Sequence, residues 1–176
     1  MACVLVSLGS NIEAERNIRE AVRWLRAEMT VLGVSTIYRT APIGNSSAPS
    51  FLNGVIMLET ELSPLRLKFE LLRRIEAGLG RRRTDDKYAP RPIDLDILLY
   101  DNLDEVRHEI AIPDPELTHR PFLAIPAAEL MPEMVVPGVG KTLRVIAAGM
   151  EHGGMEPLVE YSALLKEEAR HGQRQC

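Results

Sequence analysis

Ring-bearing side chains are scarce in this chain: phenylalanine, tyrosine and tryptophan together make up 5% of its 176 residues. A sheet that reads RNA needs exposed aromatics in a K/R-G-F-x-F type of pattern, and no such run occurs. Cysteine is nearly absent. Cys3 and Cys176 lie near opposite ends, which excludes a disulfide framework and zinc spacing and makes a reducing cytoplasm the expected compartment. No apolar run approaches the roughly 18 residues needed to span a membrane. The opening MACVLVSLGSN has neither the basic start nor the apolar length of a signal peptide, and reads as a first strand. The four histidines, His108, His119, His152 and His171, show no metal-ligand spacing. There is no G-x-x-x-x-G-K-S/T loop, no dinucleotide fingerprint and no G-x-S-x-G. A net charge of −4 weighs against a dedicated nucleic-acid binder.

What is present is the length and apolar content of one globular domain, 45% hydrophobic by residue type. Residues 3–8 are short, apolar and valine-rich, as in a buried strand. Asn11 then suits the cap of a helix over 12–29, in which Ile18, Ala21, Val22 and Leu25 recur at helical spacing. A second strand is expected over 31–38 and a third over 51–61, with a proline- and serine-marked loop between them. Ser63 followed by Pro64 is a helix start, and Leu65, Leu72, Ile75 and Leu79 carry a stripe to Gly80. A charged loop leads into a fourth strand that ends near Asp101. Further on, short helices are expected over 123–130, interrupted by Pro126, and 142–150. The polar end LLKEEARHGQRQC is expected to fray. The order β-α-β-β-α-β predicts an α+β, ferredoxin-like fold, an antiparallel sheet with flanking helices on one face.

The fourth strand poses the chemical question. APRPIDLDILLY, residues 89–100, sets Asp94 and Asp96 two apart in an apolar segment. Residues i and i+2 of a strand share a face, so the two carboxylates lie side by side while Leu95 and Ile97 face a core. Adjacent buried anions repel and need a cation, either arginines or a divalent metal such as Mg²⁺ held jointly with substrate phosphates; for a lone D-x-D the plainer alternative is a solvated strand face with Arg91 as a surface partner, and the neighbouring residues decide. The segment before the strand is dense in such charge: Arg73, Arg74, Arg81, Arg82, Arg83, Lys87 and Arg91. Guanidinium groups grip phosphates bidentately. Asp85 and Asp86 offset part of this charge, so a solvated loop with internal ion pairs is the plain alternative. A cationic loop feeding a paired-carboxylate strand describes a nucleoside-triphosphate site. Elsewhere Phe51 and Asn53 share a strand face, a ring and an amide that together suit a flat heterocycle, and Arg120 and Phe122 repeat the i, i+2 spacing.

Several motifs in order, LGSN, YRTAPIG, FLNGVIMLET, IEAGLGRRR, APRPIDLDILLY and RPFLAIPAAEL, give the chain a resemblance to the 6-hydroxymethyl-7,8-dihydropterin pyrophosphokinases of folate biosynthesis. The resemblance covers residues 4–143. It implies transfer of pyrophosphate from ATP to the pterin hydroxymethyl group with release of AMP, two Mg²⁺ ions as cofactor, and ATP as co-substrate. Carried over by position, it implies that Asp94 and Asp96 hold the metals and that Arg81 and Arg91 join them in catalysis. Arg73, Glu76, Arg83, Tyr88, Ile97, Asp114 and Arg120 would bind ATP. Gly9, Thr40, Pro42, Ile43, Phe51, Asn53, Asp94 and Phe122 would form the pterin site, with Phe51 and Phe122 as the two faces of a sandwich and Ser10 and Asn11 in support.

The resemblance has departures: Asp114 and Pro115 replace a histidine and another ATP-contacting residue, Arg73 a common glutamine, and Tyr88 a frequent tryptophan. It further implies one pyrophosphokinase domain over 1–160 with a polar tail over 161–176, and a cytoplasmic monomer acting on two small molecules without nucleic acid or membrane partners. Two rival readings are a different metal-dependent nucleotidyl transferase, which would release pyrophosphate, and a non-enzymatic RNA-binding module.

Overall fold

The central strand β1 (Ala2–Ser10) shows why the sheet is buried on both sides. Val4, Val6 and Leu8 point to one face and Leu5 to the other, each wholly or almost wholly excluded from solvent. The structure is a computed structural model that describes residues 1–42, 49–82, 84–85, 89–107 and 109–171. The strands around β1 are β2 (Thr30–Val34), β3 (Tyr38–Thr40), β4 (Phe51–Thr60) and β5 (Asp94–Tyr100). The sheet runs β5-β1-β4-β3-β8, with β2 also on β4 and β8 (Met155–Pro157) beyond β3, and each pairing is antiparallel. Counting β2 and β3 as one broken strand, the order is the one expected of a ferredoxin-like α+β fold.

One face is covered by helix α1 (Ala14–Glu28), whose Ile18, Ala21, Val22 and Leu25 are buried, and by the second helical stretch. That stretch starts as expected, with the Ser63 hydroxyl accepting from the Arg66 amide and Pro64 in the first turn. Its interior departs from an α-helix. Between α2 (Pro64–Arg66) and α3 (Arg73–Gly78), residues Leu67–Leu72 form a π-helical segment. The buried positions therefore fall in neighbouring pairs, Leu67 with Lys68, Leu71 with Leu72, and Ile75 with Glu76. Two charged residues thus occupy core positions. The chain leaves the helix through Gly80, whose φ of +89° suits a residue without a Cβ.

The expectation of helices on one face only is corrected. A second core, built on Leu5, Val55, Leu98 and Leu99, lies on the opposite face beneath α4 (Pro121–Leu130) and α5 (Leu143–Ala148). Pro126 sits inside an uninterrupted α4. A hairpin, β6 (Glu105–Arg107) with β7 (Ile110–Ile112), and a 3-10 turn at Pro115–Thr118 fill the stretch that gave little sequence signal.

Three local expectations also change. Helix α1 is not capped by Asn11; Glu13 occupies the cap in left-handed geometry without a side-chain bond, because Asn11 is engaged elsewhere. The expected strand over 31–38 breaks after Val34. There the Ser35 hydroxyl accepts from the Val55 amide at 2.9 Å and the Ser162 hydroxyl from the Ile37 amide at 2.8 Å, replacing ladder bonds. Of the polar end expected to fray, residues 164–171 continue helix α6 (Val159–His171), and residues 172–176 fall outside the described residues. Leu165 and Ala169 enter the first core, the Arg19 Nε donates to both Glu168 carboxylate oxygens at 2.8 and 2.9 Å, and Arg26 donates to the Glu168 carbonyl.

Candidate active site

The apolar alternation of β1 stops after Leu8, and the face that carried Leu5 continues as Ser7 and Gly9. The same change occurs on its neighbours. Asp96 pairs with Ser7, and Asp94 and Asn53 flank Gly9 in register. The second core thus gives way, at this end of the sheet, to a cavity of about 440 Å³. Its floor, on the sheet, includes Asp96, Asp94, Gly9, Asn53, Thr40 and Phe51, and Ala41, Pro42, Arg91, Asp114, Glu116, Arg120, Phe122 and Leu123 contribute to the rest of its lining. Asn53 donates its amide to the Thr40 hydroxyl at 2.7 Å, which fixes both polar groups within the floor.

The GSN turn holds this cavity's cationic edge. The Asn11 carboxamide oxygen accepts from the Arg91 amide at 2.7 Å, the Asn11 amide donates to the Arg91 carbonyl at 3.2 Å, and the Ser10 hydroxyl donates to the Pro92 carbonyl at 2.5 Å. Arg91 then donates from Nη1 to Asp94 Oδ2 at 2.7 Å, while Arg81 donates to Asp94 Oδ1 at 2.5 Å. Burial works against charge on Asp94, but the two guanidinium groups outweigh it and hold the carboxyl below its ordinary range. Arg81 also donates to Glu76, and the opposing charges of Asp94 and Glu76 overcome its burial and raise its pKa.

Glu76, expected at the nucleotide, is 2% exposed and turned away from the cavity. It accepts the Leu95 amide at 2.8 Å, and burial pushes its carboxyl up. Among the described residues strand β5 pairs with β1 alone, so Leu95 offers its outward backbone groups to side chains. Its carbonyl accepts from Lys68 Nζ at 2.8 Å, and Lys68 also donates to Asp96 Oδ1. Lys68 is the charge partner that the sequence reading missed. The available signal was a lysine four residues before Leu72, on the buried stripe.

The expected site residues therefore divide. Gly9, Thr40, Pro42, Phe51, Asn53, Arg91, Asp94, Asp96, Asp114, Arg120 and Phe122 share one cavity, with Arg81 directly behind Asp94. Arg73 and Ile97, expected at ATP, lie apart from it. Arg73 pairs with Glu109 and stacks over the Phe69 ring at 4.2 Å, and Ile97 is buried in the first core. Ile43, Arg83 and Tyr88 fall outside the described residues. At the rim, Arg120 donates to Glu116 at 2.5 Å, and the Glu116 amide donates to Asp114 at 2.8 Å. Burial pushes the Asp114 carboxyl up, and Asp96 nearby adds to that.

Among the described residues no group of three or more metal-ligating side chains is assembled. Two neighbouring carboxylates, with arginines at 91 and 120 on the same cavity, fit instead a hard cation shared between protein and phosphates. Fold and site together define an α+β protein with one cavity that brings two aspartates and two arginines together with two phenylalanine rings. The comparisons with known proteins are more specific. Residues 5–132 match the family model "7,8-dihydro-6-hydroxymethylpterin-pyrophosphokinase (HPPK)". The chain is 39% identical over 128 residues, 71% of its length, to the 2-amino-4-hydroxy-6-hydroxymethyldihydropteridine pyrophosphokinase of Bacillus subtilis, covering 75% of it. It is 34% identical over 159 residues to the enzyme of that name from Methylorubrum extorquens, covering 89% of this chain and 98% of the relative. A crystal structure of Plasmodium falciparum HPPK-DHPS with pterin and p-hydroxybenzoate superposes with a TM-score of 0.62 at 14% identity, over 84% of this chain but only 41% of that longer one. The chain belongs to the 7,8-dihydro-6-hydroxymethylpterin-pyrophosphokinase family.

Proposed function

We propose that this chain transfers pyrophosphate from ATP to the hydroxymethyl group of 6-hydroxymethyl-7,8-dihydropterin, the folate-biosynthetic step for which its family is named. The observation that carries the reading is one cavity with two chemically different ends. Its lining combines Phe51, Phe122, Asn53 and Thr40, which suit a flat, hydrogen-bonding ring, with Asp94, Asp96, Arg91 and Arg120, which suit a charged chain, and Asn53 and Asp94 stand on opposite sides of Gly9 across the sheet. In the reaction the pterin hydroxyl oxygen bonds to the β-phosphorus of ATP. The bond from that phosphorus to the α,β-bridging oxygen breaks, AMP leaves with the oxygen, and the hydroxyl proton is released.

The residues act by placement and by charge. The ring of the pterin lies between Phe51 and Phe122, and the Asn53–Thr40 pair hydrogen-bonds its edge. Arg91 and Arg120 hold phosphate oxygens, each now paired with a carboxylate that a phosphate can replace. Arg81, locked between Glu76 and Asp94, keeps the Asp94 carboxyl charged and oriented. Two Mg²⁺ ions, held by Asp94 and Asp96, would neutralise the triphosphate and polarise the β-phosphorus. Arg83 and Tyr88 complete the nucleotide side in this reading and Ile43 the pterin side. The reading extends to a monomeric enzyme of the cytoplasm; no described helix is long and apolar enough to cross a membrane.

Incubation with ATP, Mg²⁺ and hydroxymethyldihydropterin, followed by chromatography of the nucleotides, tests the proposal. AMP formed in step with pterin pyrophosphate is expected. Release of free pyrophosphate with a nucleotidylated product, or no turnover, would contradict it.

A further inference from the structure

Asp94 and Asp96 are compensated in different ways. Both oxygens of Asp94 are taken, one by Arg81 and one by Arg91. Asp96 gives only Oδ1, to Lys68, and its Oδ2 has no hydrogen-bond or ion-pair partner among the described residues. Lys68 is also unlike the arginines. Its side chain is 10% exposed against 44% for Asp96, and it comes from inside the protein rather than from the cavity wall. Its ammonium is tied to an immobile group as well, the Leu95 carbonyl at 2.8 Å. An ammonium anchored in this way cannot follow Asp96 if the carboxylate swings, so it holds the carboxylate in place.

A buried lysine is uncommon and a buried unpaired one is costly. This one lies in the π-helical segment, where the widened turn brings Lys68 beside Leu67 on the core side. On the reading of Asp94 and Asp96 as metal ligands, we propose that Lys68 is a positioning residue for Asp96: it pins Oδ1, leaves Oδ2 for the metal, and serves as resident counter-cation when no metal is bound. A fixed positive charge on one oxygen also opposes the approach of a divalent ion to the other. Lys68 thereby lowers affinity for bare metal and makes metal occupancy depend on the nucleotide's phosphates arriving with it. This device is separate from Arg91 on Asp94, which lines the cavity and can turn to phosphate.

The test is a titration with Mn²⁺, followed by loss of the free-ion paramagnetic resonance signal, with and without α,β-methylene-ATP. It compares the wild type, Lys68→Met, Asp96→Asn and the double variant. Methionine keeps the length and burial of the stem and removes the charge. Lys68→Met is expected to bind Mn²⁺ alone about tenfold more tightly than the wild type. In the Asp96→Asn background the same substitution is expected to change nothing, because the lysine acts through that carboxylate. Equal affinity in wild type and Lys68→Met, or an equal gain with and without Asp96, overturns the proposal while leaving the metal site intact. Failure of the wild type to bind Mn²⁺ even with the nucleotide mimic overturns the metal site and the proposal together. Should Lys68→Met be unfolded in metal-free buffer, recovery of the fold on adding Mn²⁺ supports the proposal, and no recovery overturns it.

Discussion

Gly9 and Asn53 stand opposite each other across β1 and β4, and a Cβ on Gly9 would lie 3.3 Å from the Asn53 side-chain oxygen. Asp94 Cβ would be 3.8 Å away on the other side. The glycine therefore keeps open the strip of floor that joins the amide end of the cavity to the carboxylate end. Gly9→Val is expected to fold, since nothing in the backbone at Gly9 demands glycine, and to lose at least about tenfold in pterin affinity. Calorimetric titration of the pterin in the presence of α,β-methylene-ATP measures this. An unchanged pterin affinity would mean that the ring does not rest on this floor.

Removing Asp94 acts on chemistry and on stability together. Asp94→Ala is expected to slow pyrophosphoryl transfer about a thousandfold. It also leaves Arg81 and Arg91 facing each other without their shared carboxylate, which costs about 2 kcal/mol of folding stability for a group that is only partly exposed. Asp96→Ala is expected to be equally inactive. A kinetic assay beside urea unfolding reads both effects. Normal turnover in either variant would remove the carboxylates from the mechanism.

The aromatic walls are expected to act on one substrate only. Phe122 lines the cavity near the start of α4 and contributes to no charge contact. Phe122→Ala should weaken pterin binding about tenfold, the loss of one stacking face and its buried area, with little effect on the nucleotide. Equal losses for pterin and for α,β-methylene-ATP, measured in parallel titrations, would count against a stacking role.

The docking of α6 onto α1 should appear in the pH dependence of stability. The hydrogen bonds from Arg19, assisted by the charges of Arg19, Arg23 and Arg26, hold the Glu168 carboxyl below its ordinary 4.5. Between that lowered value and 4.5 the unfolded chain binds more protons than the folded one, so stability rises with pH there. The contribution is present above 4.5 and is lost as pH falls through the folded value. Glu168→Gln should flatten this part of the profile, as measured by denaturant unfolding between about pH 5 and 2. An unchanged slope would show that the pair adds nothing in solution.

Much of this architecture could be read in the residues, for identifiable reasons. Alternation along β4 and β5 announced which side chains share a face, so Phe51 with Asn53 and Asp94 with Asp96 could be paired from spacing alone. Where that periodicity was interrupted, the reading failed. Lys68 and Glu76, four residues before and after Leu72, occupy buried positions of the stripe, but charged side chains there do not read as core residues. Helix α6 was missed because its inner face is narrow: Ser162, Leu165 and Ala169 suffice when a serine bonds the Ile37 amide and a glutamate grips Arg19. Asn11 suits a helix cap by type, yet it is drawn to Arg91 by a contact 80 residues away in sequence. Arg73 and Ile97 were assigned to the nucleotide by position in a motif, and the structure places both outside the cavity that Asp94 and Asp96 line.

On the function proposed, Asp94 and Asp96 hold metal against the phosphates of ATP. Crystals grown with α,β-methylene-ATP and Mn²⁺, with anomalous diffraction recorded from the manganese, test it most directly. Manganese peaks within coordination distance of both carboxylates and of phosphate oxygens are predicted. Nucleotide bound with no manganese at either aspartate would contradict the account.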